Sequence, residues 1–469
     1  MAHHQPARVH YARIEGSREE KLAALDTLVD LAALTWQDCP DAWQAPFRPS
    51  GKGDYFALPL LPDLFPWSAR GIQFSCTWPV AQDKAVLNAR WACLANAPQP
   101  RKRVLLKETR DVRADQTYLS FITGARLQSL DSLTGGEKPE AVERFLYRSY
   151  DRQWCIADRR VIDMPRPALW KCWSERQLYL LTITDQAPSA GQAIVASAIV
   201  PDLNAFRGSC GGLVHPLYRT SDTTEPNVQP GLLPRLGAAY DRQVSPEDLL
   251  AYIYGILAQP AFTARFAAEL DTRELRVPIT KDPELFEKVR ALGARLLWLR
   301  TYGERFLPPG TPPGHIPPGT ARCTVAVPGD PAGYPESFAY DDARRTLQLG
   351  QGQFSPVSPE VFDLEVSGLK VVQSWLRYRM KGGAGKKSSP LDDINPQRWT
   401  TQFTTELLEL LWVLDATVAG YPEQAQLLHA VVAGECFQAD DLPQVPEAMR
   451  KPPKPQPQDG GLFVWHNDT

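Results

Sequence analysis

Arginine and aromatic residues alternate along the segment 147–173, YRSYDRQWCIADRRVIDMPRPALWKCW, more densely than an ordinary protein core requires. A guanidinium group binds a phosphate or the edge of a guanine through two parallel hydrogen bonds, and an aromatic face stacks on a base. The pattern therefore predicts a surface that faces nucleic acid. The alternative is a pair of strands with the aromatic side chains in the core and the arginines in solvent. The residues concerned are Arg148, Arg152, Arg159, Arg160 and Arg166, with Tyr147, Tyr150, Trp154, Trp170 and Trp173.

Two further groups of basic residues are candidates for the same contact. Arg207 and Arg219 flank the turn RGSCGG, whose glycines permit a tight bend or a close backbone approach. Lys386 and Lys387 end the loop KGGAGKK, where they could bind phosphates and so position a duplex without reading its sequence. A solvated flexible loop is the alternative for these lysines. The predicted DNA-binding residues are Arg148, Arg152, Trp154, Arg159, Arg160, Arg166, Arg207, Arg219, Lys386 and Lys387.

No catalytic motif is visible in the sequence, which has no GxGxxG or Walker phosphate loop, no GxSxG elbow, no HExxH string and no PD-(D/E)xK nuclease string. A DNA amino-methyltransferase needs a D/N-P-P-aromatic motif. The nearest string, Asn395-Pro396-Gln397-Arg398, lacks the second proline and the aromatic residue. Acidic pairs such as Asp341/Asp342 fall in predicted turns, where Asp bonds its own backbone. His215 fits a structural role at least as well as a contact with a base or phosphate. We therefore predict no catalytic residue.

Composition limits the remaining possibilities. The 469 residues carry a net charge of -3, so a nucleic-acid site must come from local clustering of basic residues. The eight cysteines form no CxxC pair and histidines are few, which predicts neither a metal site nor a disulfide framework and favours a reducing cytoplasm. The sequence has no stretch of about 18 apolar residues and no apolar region near its start, so we expect neither a membrane span nor a secretory signal.

Prolines and glycines divide the chain into five predicted parts. Residues 1–60 combine a strand at 7–14 with a helix capped by Ser17, and residues 61–306 are strand-rich up to about residue 240 and helical after it. Residues 307–335 form a Pro/Gly-rich linker with one short strand. Residues 336–445 form a hairpin followed by C-terminal helices, and residues 446–469 form a disordered tail. The predicted fold class is α+β, with a mixed, strand-rich recognition region, helical segments and a C-terminal helical part.

Helix signals are clearest after residue 244. Ser245 is a plausible N-cap ahead of a proline at the first helical position, and Pro260 separates two helices. We expect the last helices to run from about Asn395 to Val418, with Asn395 as the cap, and from Pro422 to about Ala433.

Several strings, in order, resemble the C-terminal specificity region of Type ISP restriction–modification enzymes, which are single polypeptides with nuclease, helicase-like, adenine methyltransferase and target-recognition domains. The segment beginning YRSYDRQW is similar to the family's Y-R-x-F-D-x-R/Q-W signature, with Tyr150 in place of phenylalanine. Other matching strings are TWPVAQDKAVLNARW, AIVPDLNAFRGSCGGLVHPLYR and VFDLEVSGLKVVQSWLRYR. The resemblance runs from about Ala7 to Leu442, and ARVHYARIEGSREEKLAAL resembles the end of the family's methyltransferase domain.

This resemblance implies a module that reads a double-stranded DNA target in a restriction–modification or phage-defence system. It also implies that a methyltransferase domain or subunit outside this chain carries S-adenosylmethionine and methylates adenine at N6. We expect no cofactor on this chain itself. Two alternatives stay open: a protein-interaction subunit of a defence complex without direct base readout, and a free-standing enzyme of unknown chemistry.

Overall fold

The computed structural model describes residues 7–14, 18–39, 47, 53–209, 211–382 and 387–453. Ser17, Lys386 and the predicted tail after residue 453 lie outside the described residues. The described helices are α1 Arg18–Thr27, α2 Leu61–Leu64, α3 Lys84–Asn96, α4 Gln99–Leu106, α5 Pro167–Lys171, α6 Leu232–Tyr240, α7 Pro246–Leu257, α8 Pro260–Arg265, α9 Ala267–Leu270, α10 Pro283–Arg300, α11 Pro359–Phe362, α12 Val371–Arg377 and α13 Thr401–Ala433.

The strands are short and pair in small antiparallel sheets. They are β1 His10–Tyr11, β2 Gln37–Asp38, β3 Ala69–Arg70, β4 Val80–Ala81, β5 Tyr118–Leu119, β6 Arg126–Leu127, β7 Val142–Arg148, β8 Asp151–Ile156, β9 Tyr179–Ile183, β10 Val195–Ser197, β11 Gly212–Pro216, β12 Ile279–Thr280, β13 Arg322–Val325, β14 Phe338–Asp341, β15 Thr346–Leu349, β16 Gly352–Ser355, β17 Glu365–Val366, β18 Leu369–Lys370 and β19 Cys436–Phe437. This mixture of helices and small sheets confirms the predicted α+β class.

Three sheets of three or four strands organise the fold. Their strand orders are β4-β8-β7, β10-β9-β11-β3 and β13-β16-β15-β14. The arginine-rich segment found in the sequence forms the β7–β8 hairpin, in which Arg144 lies opposite Trp154. Tyr150, at the hairpin turn, has a φ of 65° and is buried. The segment therefore does contain the strand pair considered as an alternative. Whether it also forms part of a nucleic-acid site depends on what its arginines contact.

The hydrophobic core consists of two clusters of buried residues. One cluster surrounds the β7–β8 hairpin and includes Trp78, Phe145, Leu347 and Leu411, while the other surrounds α7 and α10. Ala321, which falls in the predicted linker 307–335, is buried in the first cluster. The first cluster thus joins the regions on both sides of that linker. The division of the chain at 61–306 and 336–445 stays a prediction.

Helix ends follow local capping chemistry in some places and tertiary packing in others. At α7, the Ser245 side chain accepts a hydrogen bond from the backbone of Asp248, whose side chain accepts one from the Ser245 backbone, which confirms the predicted cap. The two predicted helices at 395–418 and 422–433 are wrong. They form the single helix α13, capped by Thr400, with Pro422 inside it.

Packing accounts for the continuity of α13. Proline inside a helix removes a hydrogen bond and costs roughly 3 kcal/mol. Leu414 before Pro422 and Leu428 after it are both buried, each in a different core cluster, so ending the helix at the proline would expose one of them. Asn395 does not cap this helix, because its side chain donates instead to the carbonyl oxygen of Asp392 at 2.6 Å.

Two glycines allow α7 and α10 to approach closely. A Cβ added at Gly293 would overlap the carbonyl oxygen of Ala251, and one at Gly255 would lie 2.7 Å from that of Val289. We expect Gly293→Ala to lower the free energy of unfolding by about 1–3 kcal/mol, because the overlap is with backbone and the helices must separate. Chemical denaturation measures this change.

Gly420 of α13 provides the matched control. Its added Cβ would meet only Leu296, at an ordinary 3.7 Å. Gly420→Ala should therefore stabilise the protein, by up to about 1 kcal/mol, through helix propensity alone. Equal effects of the two substitutions would contradict the close approach.

Candidate nucleic-acid interface

Carboxylates bind several of the predicted arginines. Arg152 reaches Glu304 at 3.2 Å and Glu409 at 3.5 Å, and its guanidinium lies 3.7 Å from the centroid of the Tyr302 ring. Trp154 is half-buried with Arg144 at 4.5 Å and Lys84 at 5.1 Å from its ring centroid. These contacts tie the hairpin to α13 and to the end of α10, and leave little free ring surface for a base.

Arg160 and Arg219 are buried in hydrogen-bonded ion pairs. Arg160 donates to both oxygens of Asp158, at 2.9 and 2.7 Å. Arg219 donates to Glu225 at 2.8 Å and to the carbonyl oxygens of Met449 and Lys451, both at 2.9 Å. Removing such a guanidinium from its partner would leave a buried charge uncompensated. The placement of these two side chains gives no support to their predicted DNA contact.

Arg159 is half-buried and braces a neighbouring loop. Its Nη1 donates to the carbonyl oxygen of Ile162 at 2.9 Å and to that of Asp111 at 3.4 Å. Its guanidinium lies 4.7 Å from the centroid of the Tyr118 ring. The side chain therefore holds the surface built by residues near Tyr118, and the DNA contact predicted for Arg159 stays a prediction.

Two of the other predicted arginines, Arg148 and Arg207, lie at the glycine turn, which the structure describes at residues 207–209 and 211–212. Arg148 lies under this turn: a Cβ added at Gly208, which has a φ of 85°, would come within 3.4 Å of its Nε. Arg207 belongs to the turn itself and donates to the carbonyl oxygen of Ser367 at 2.7 Å. Arg70 lies against Gly211, whose added Cβ would be 2.6 Å from Nη1 of that arginine.

Arg166 completes this group, and we call Arg70, Arg148, Arg166 and Arg207 the arginine cluster. Arg166 precedes α5 with a φ of 51°, and its buried Nε has no hydrogen-bond partner among the described residues. Burial, followed by the charge of Arg70, lowers the pKa of Arg166. The like charge and the unused donor make this position suitable for an anion.

The cluster has more positive than negative charge. Nη1 of Arg148 pairs with Asp202 at 3.0 Å, and Nη2 of Arg70 lies 3.8 Å from Asp185. Burial raises the pKa of Asp202, and the charge of Arg148 opposes this effect. Among the described residues, no carboxylate forms an ion pair with Arg166 or Arg207, so two of the cluster's four guanidinium groups have no counter-charge at ion-pair distance.

A cleft of about 230 Å³ adjoins the cluster. Arg148 and Lys387 both line it, so the fold brings together two predicted residues that are far apart in the sequence. Tyr147 and Tyr378 contribute aromatic wall, with ring centroids 5.0 Å apart. Lys387 is 64% exposed and pairs with Asp393 at 2.5 Å, so it is an ion-paired positive charge at the rim of the cleft.

Arg70 is not among the residues predicted from the sequence to contact DNA. It stands alone in the string WSARG, with no alternation of arginine and aromatic residues around it. Only the pairing of β3 with β11 brings it beside the glycine turn. Among the described residues, no group of three or more His, Cys, Asp or Glu side chains could hold a metal ion. No helix of the described part is long and apolar enough to cross a membrane.

His215, on the strand that follows the glycine turn, has a structural position. It is 1% exposed, and its Nδ1 lies 3.1 Å from the carbonyl oxygen of Phe65. Burial lowers its pKa from 6.5 to about 4. This imidazole therefore stays neutral in the folded protein at neutral pH and is not placed to contact DNA.

The lowered pKa of His215 predicts an acid-sensitive fold. The unfolded chain binds a proton below pH 6.5 that the folded chain binds only near pH 4. Stability from this group is therefore complete above pH 6.5 and falls by roughly 3 kcal/mol as the pH drops to 4. We expect His215→Gln to remove this part of the pH dependence, measured as unfolding free energy at pH 7 and pH 4.5. The same pH slope in the variant and the parent would contradict the assignment.

Unpaired guanidinium groups beside a cleft on an α+β fold suit a domain that binds a polyanion. A family model described as the Type ISP C-terminal specificity domain matches residues 63–410, and the chain belongs to this family. The resemblance inferred from the sequence is thereby confirmed. No curated protein sequence matches the chain.

Three solved structures share the fold. They are the Type ISP enzyme LlaBIII bound to DNA (TM-score 0.61, 16% identity, 92% of this chain), the DrdV–DNA complex (0.59, 16%, 88%) and a nuclease-deletion mutant of the Type ISP enzyme LlaGI with a DNA substrate mimic (0.56, 17%, 90%). The chain spans 28% of the LlaBIII chain, 42% of the DrdV chain and 33% of the LlaGI chain. At these identities, the likeness shows the fold alone.

Proposed function

We propose that this chain is the DNA target-recognition module of a Type ISP restriction–modification or phage-defence system. The observation that carries the proposal is the family match over residues 63–410. The arginine cluster supplies the chemistry that such a module needs, because guanidinium groups bind phosphates and guanine edges in pairs of hydrogen bonds. The two guanidinium groups of the cluster that have no counter-charge would attract a duplex to this face.

We propose that the N6-adenine methylation itself occurs on a methyltransferase domain or subunit. That partner would hold the S-adenosylmethionine, and this chain would hold the DNA in register. We assign no catalytic role to the residues of this chain. The described cysteines are free, as expected for a protein of the reducing cytoplasm, where we place it.

Binding of labelled duplexes tests this function. The chain would be titrated against a random-sequence duplex pool at about 50 mM salt, with selection and sequencing of the bound fraction. We expect binding that weakens as salt rises, because phosphate contacts release counterions, and enrichment of one sequence motif. Binding without any enrichment, or no binding at all, would contradict target recognition.

A second contact, with protein, is favoured by the N-terminal segment. Leu22 and Leu25 of α1 are half exposed, and Val29 and Leu31 after it are 100% and 62% exposed. Soluble surfaces seldom expose apolar residues in such a group. The matched structures are two to four times as long as this chain, so we propose the methyltransferase as the partner that covers this surface. Co-purification should be lost in Leu25→Glu/Val29→Glu.

A further inference from the structure

A second basic surface lies outside the arginine cluster, on α4 and the β5–β6 hairpin. The segment 101–126 contains seven basic residues and three acidic ones, an excess of four positive charges in a chain of net charge -3. The rest of the chain therefore carries -7. The exposed members of this segment, which we call the α4 ridge, are Arg101, Arg103, Lys107, Arg110, Arg113 and Arg126.

Carboxylates pair with part of the ridge. Among the described residues, Arg110, which is 81% exposed, pairs with its neighbour Asp111 at 3.0 Å, and Arg113 lies 3.7 Å from Asp115. Arg103 reaches Asp131 at 3.0 Å and Asp115 at 3.9 Å, with half of its side chain still exposed. The Asp131 side chain is buried, so its pair with Arg103 is part of the fold. The largely exposed pairs of Arg110 and Arg113 contribute at most about 1 kcal/mol each, so a phosphate can replace a carboxylate there at little cost.

The ridge is nevertheless held in a fixed shape. Trp78 donates from its indole nitrogen to the carbonyl oxygen of Leu106 at 3.1 Å, which holds the end of α4. Thr109 donates to Asp163 at 2.5 Å, and the Tyr118 hydroxyl accepts from the backbone of Arg113 at 2.8 Å. Arg159 supports Tyr118 from below. A preformed surface loses less entropy on binding than a flexible basic loop.

Apolar side chains are exposed within the same surface. Val104 on α4 is 62% exposed, and Leu119 on β5 is 67% exposed. A surface that contacts only solvent gains nothing from these exposed apolar side chains. Apolar side chains among arginines suit a nucleic-acid groove, where they contact sugars or the methyl group of thymine.

The position of the ridge also favours DNA over an acidic protein. The Cys76 sulfur lies 3.4 Å from the carbonyl oxygen of Lys107, and Cys76 is only six positions after Arg70 of the arginine cluster. A segment of that length spans at most about 20 Å. One turn of duplex is about 34 Å long, so a single duplex can contact both surfaces.

We infer that the α4 ridge is a second duplex-binding surface that contacts the phosphate backbone, next to the arginine cluster. This inference rests on the proposed function. The ridge would contribute to DNA affinity, and other residues would recognise the base sequence, because phosphate contacts position a protein without reading bases.

The variant Arg110→Glu/Arg113→Glu/Arg126→Glu tests the ridge in the full chain. The control, Arg235→Glu/Lys288→Glu/Arg295→Glu, makes the same change of net charge at exposed positions on α6 and α10. Fluorescence anisotropy would measure affinity for the selected duplex and for a scrambled one between 50 and 200 mM salt. Thermal unfolding would show that both variants fold as the parent does.

We expect the ridge variant to bind both duplexes about 100-fold more weakly at 100 mM salt, with the slope of log K against log salt smaller by about three. The ratio between the two duplexes should not change, and the control should lose far less. If the parent binds DNA and the ridge variant matches the control, the inference is wrong while the proposed function stands. If the ridge variant loses only a co-purifying protein, the surface binds protein and the inference is also wrong. A parent that binds no duplex refutes the proposed function instead.

Discussion

Replacing Arg379 by alanine is expected to lower the free energy of unfolding by about 3–5 kcal/mol. This guanidinium is fully buried, 2.9 Å from Asp151 in the β7–β8 hairpin and 3.5 Å from Glu406 on α13. Although burial raises the pKa of Glu406, the charges of Arg144 and Arg379 bring it below its ordinary value. Without Arg379, the pairs of Arg144 with Glu406 and of Arg152 with Glu409 would still join the hairpin to α13, but Asp151 would be a buried carboxylate that has lost its cation.

Arg377 offers a matched control two residues earlier. It is the last residue of α12, which ends two residues before Arg379, and it is exposed. Arg377→Ala should change stability by no more than about 0.5 kcal/mol. Urea denaturation of both variants measures the difference. Similar losses in the two would show that the buried network does not hold these elements together.

Arg70→Ala/Arg166→Ala is expected to lower DNA affinity by at least about 30-fold. Loss of a guanidinium contact to a base or phosphate costs roughly 1–3 kcal/mol, and two such losses act on the same cluster. Nearly half of the Arg70 side chain is exposed, and its carboxylate partner is exposed too. Its removal therefore leaves no buried charge, and the effect on folding should be small.

The form of the loss identifies what the cluster binds. A smaller salt dependence with an unchanged ratio between selected and scrambled duplexes indicates phosphate contacts, whereas a reduced ratio indicates base contacts. Arg235→Ala/Arg295→Ala is the control, with the same loss of charge at exposed positions on α6 and α10. Affinity equal to that of the control would remove the cluster from the DNA interface.

Local signals predicted the elements that local chemistry determines. The cap at Ser245 and the break at Pro260 came from residues within a turn of the feature they mark. The single helix α13 was not predictable in this way. Its continuity past Pro422 depends on burial of Leu428 in a core cluster made mainly by residues 55–297. Packing over such separations has no local signature.

Dependence on residues that are distant in the sequence also explains why the predicted arginines have different roles in the structure. The alternation in 147–173 marked a segment of real structural importance, but an arginine's role depends on its partner. Glu304 and Glu409, which bind Arg152, lie 152 and 257 residues away in the sequence. Arg148, Arg166 and Arg207 were selected by type and pattern. Only the fold shows that Arg148 and Arg207 lie at the glycine turn, that β3 brings Arg70 beside it, and that the charge of Arg70 acts on Arg166.

The first core cluster limits how target specificity could be transferred from one enzyme to another. It contains Trp67 near its start, Ala321 in the middle and Leu414 near its end, so no cut between these residues leaves each piece with its own core. In a chimera joined inside 307–335, core residues from one parent would have to pack against core residues from the other. Exchange of the whole unit, or redesign confined to exposed side chains, avoids that mismatch. New DNA targets should therefore evolve in this fold by substitution of surface residues or by exchange of the whole domain. Few chimeras joined within the domain should fold.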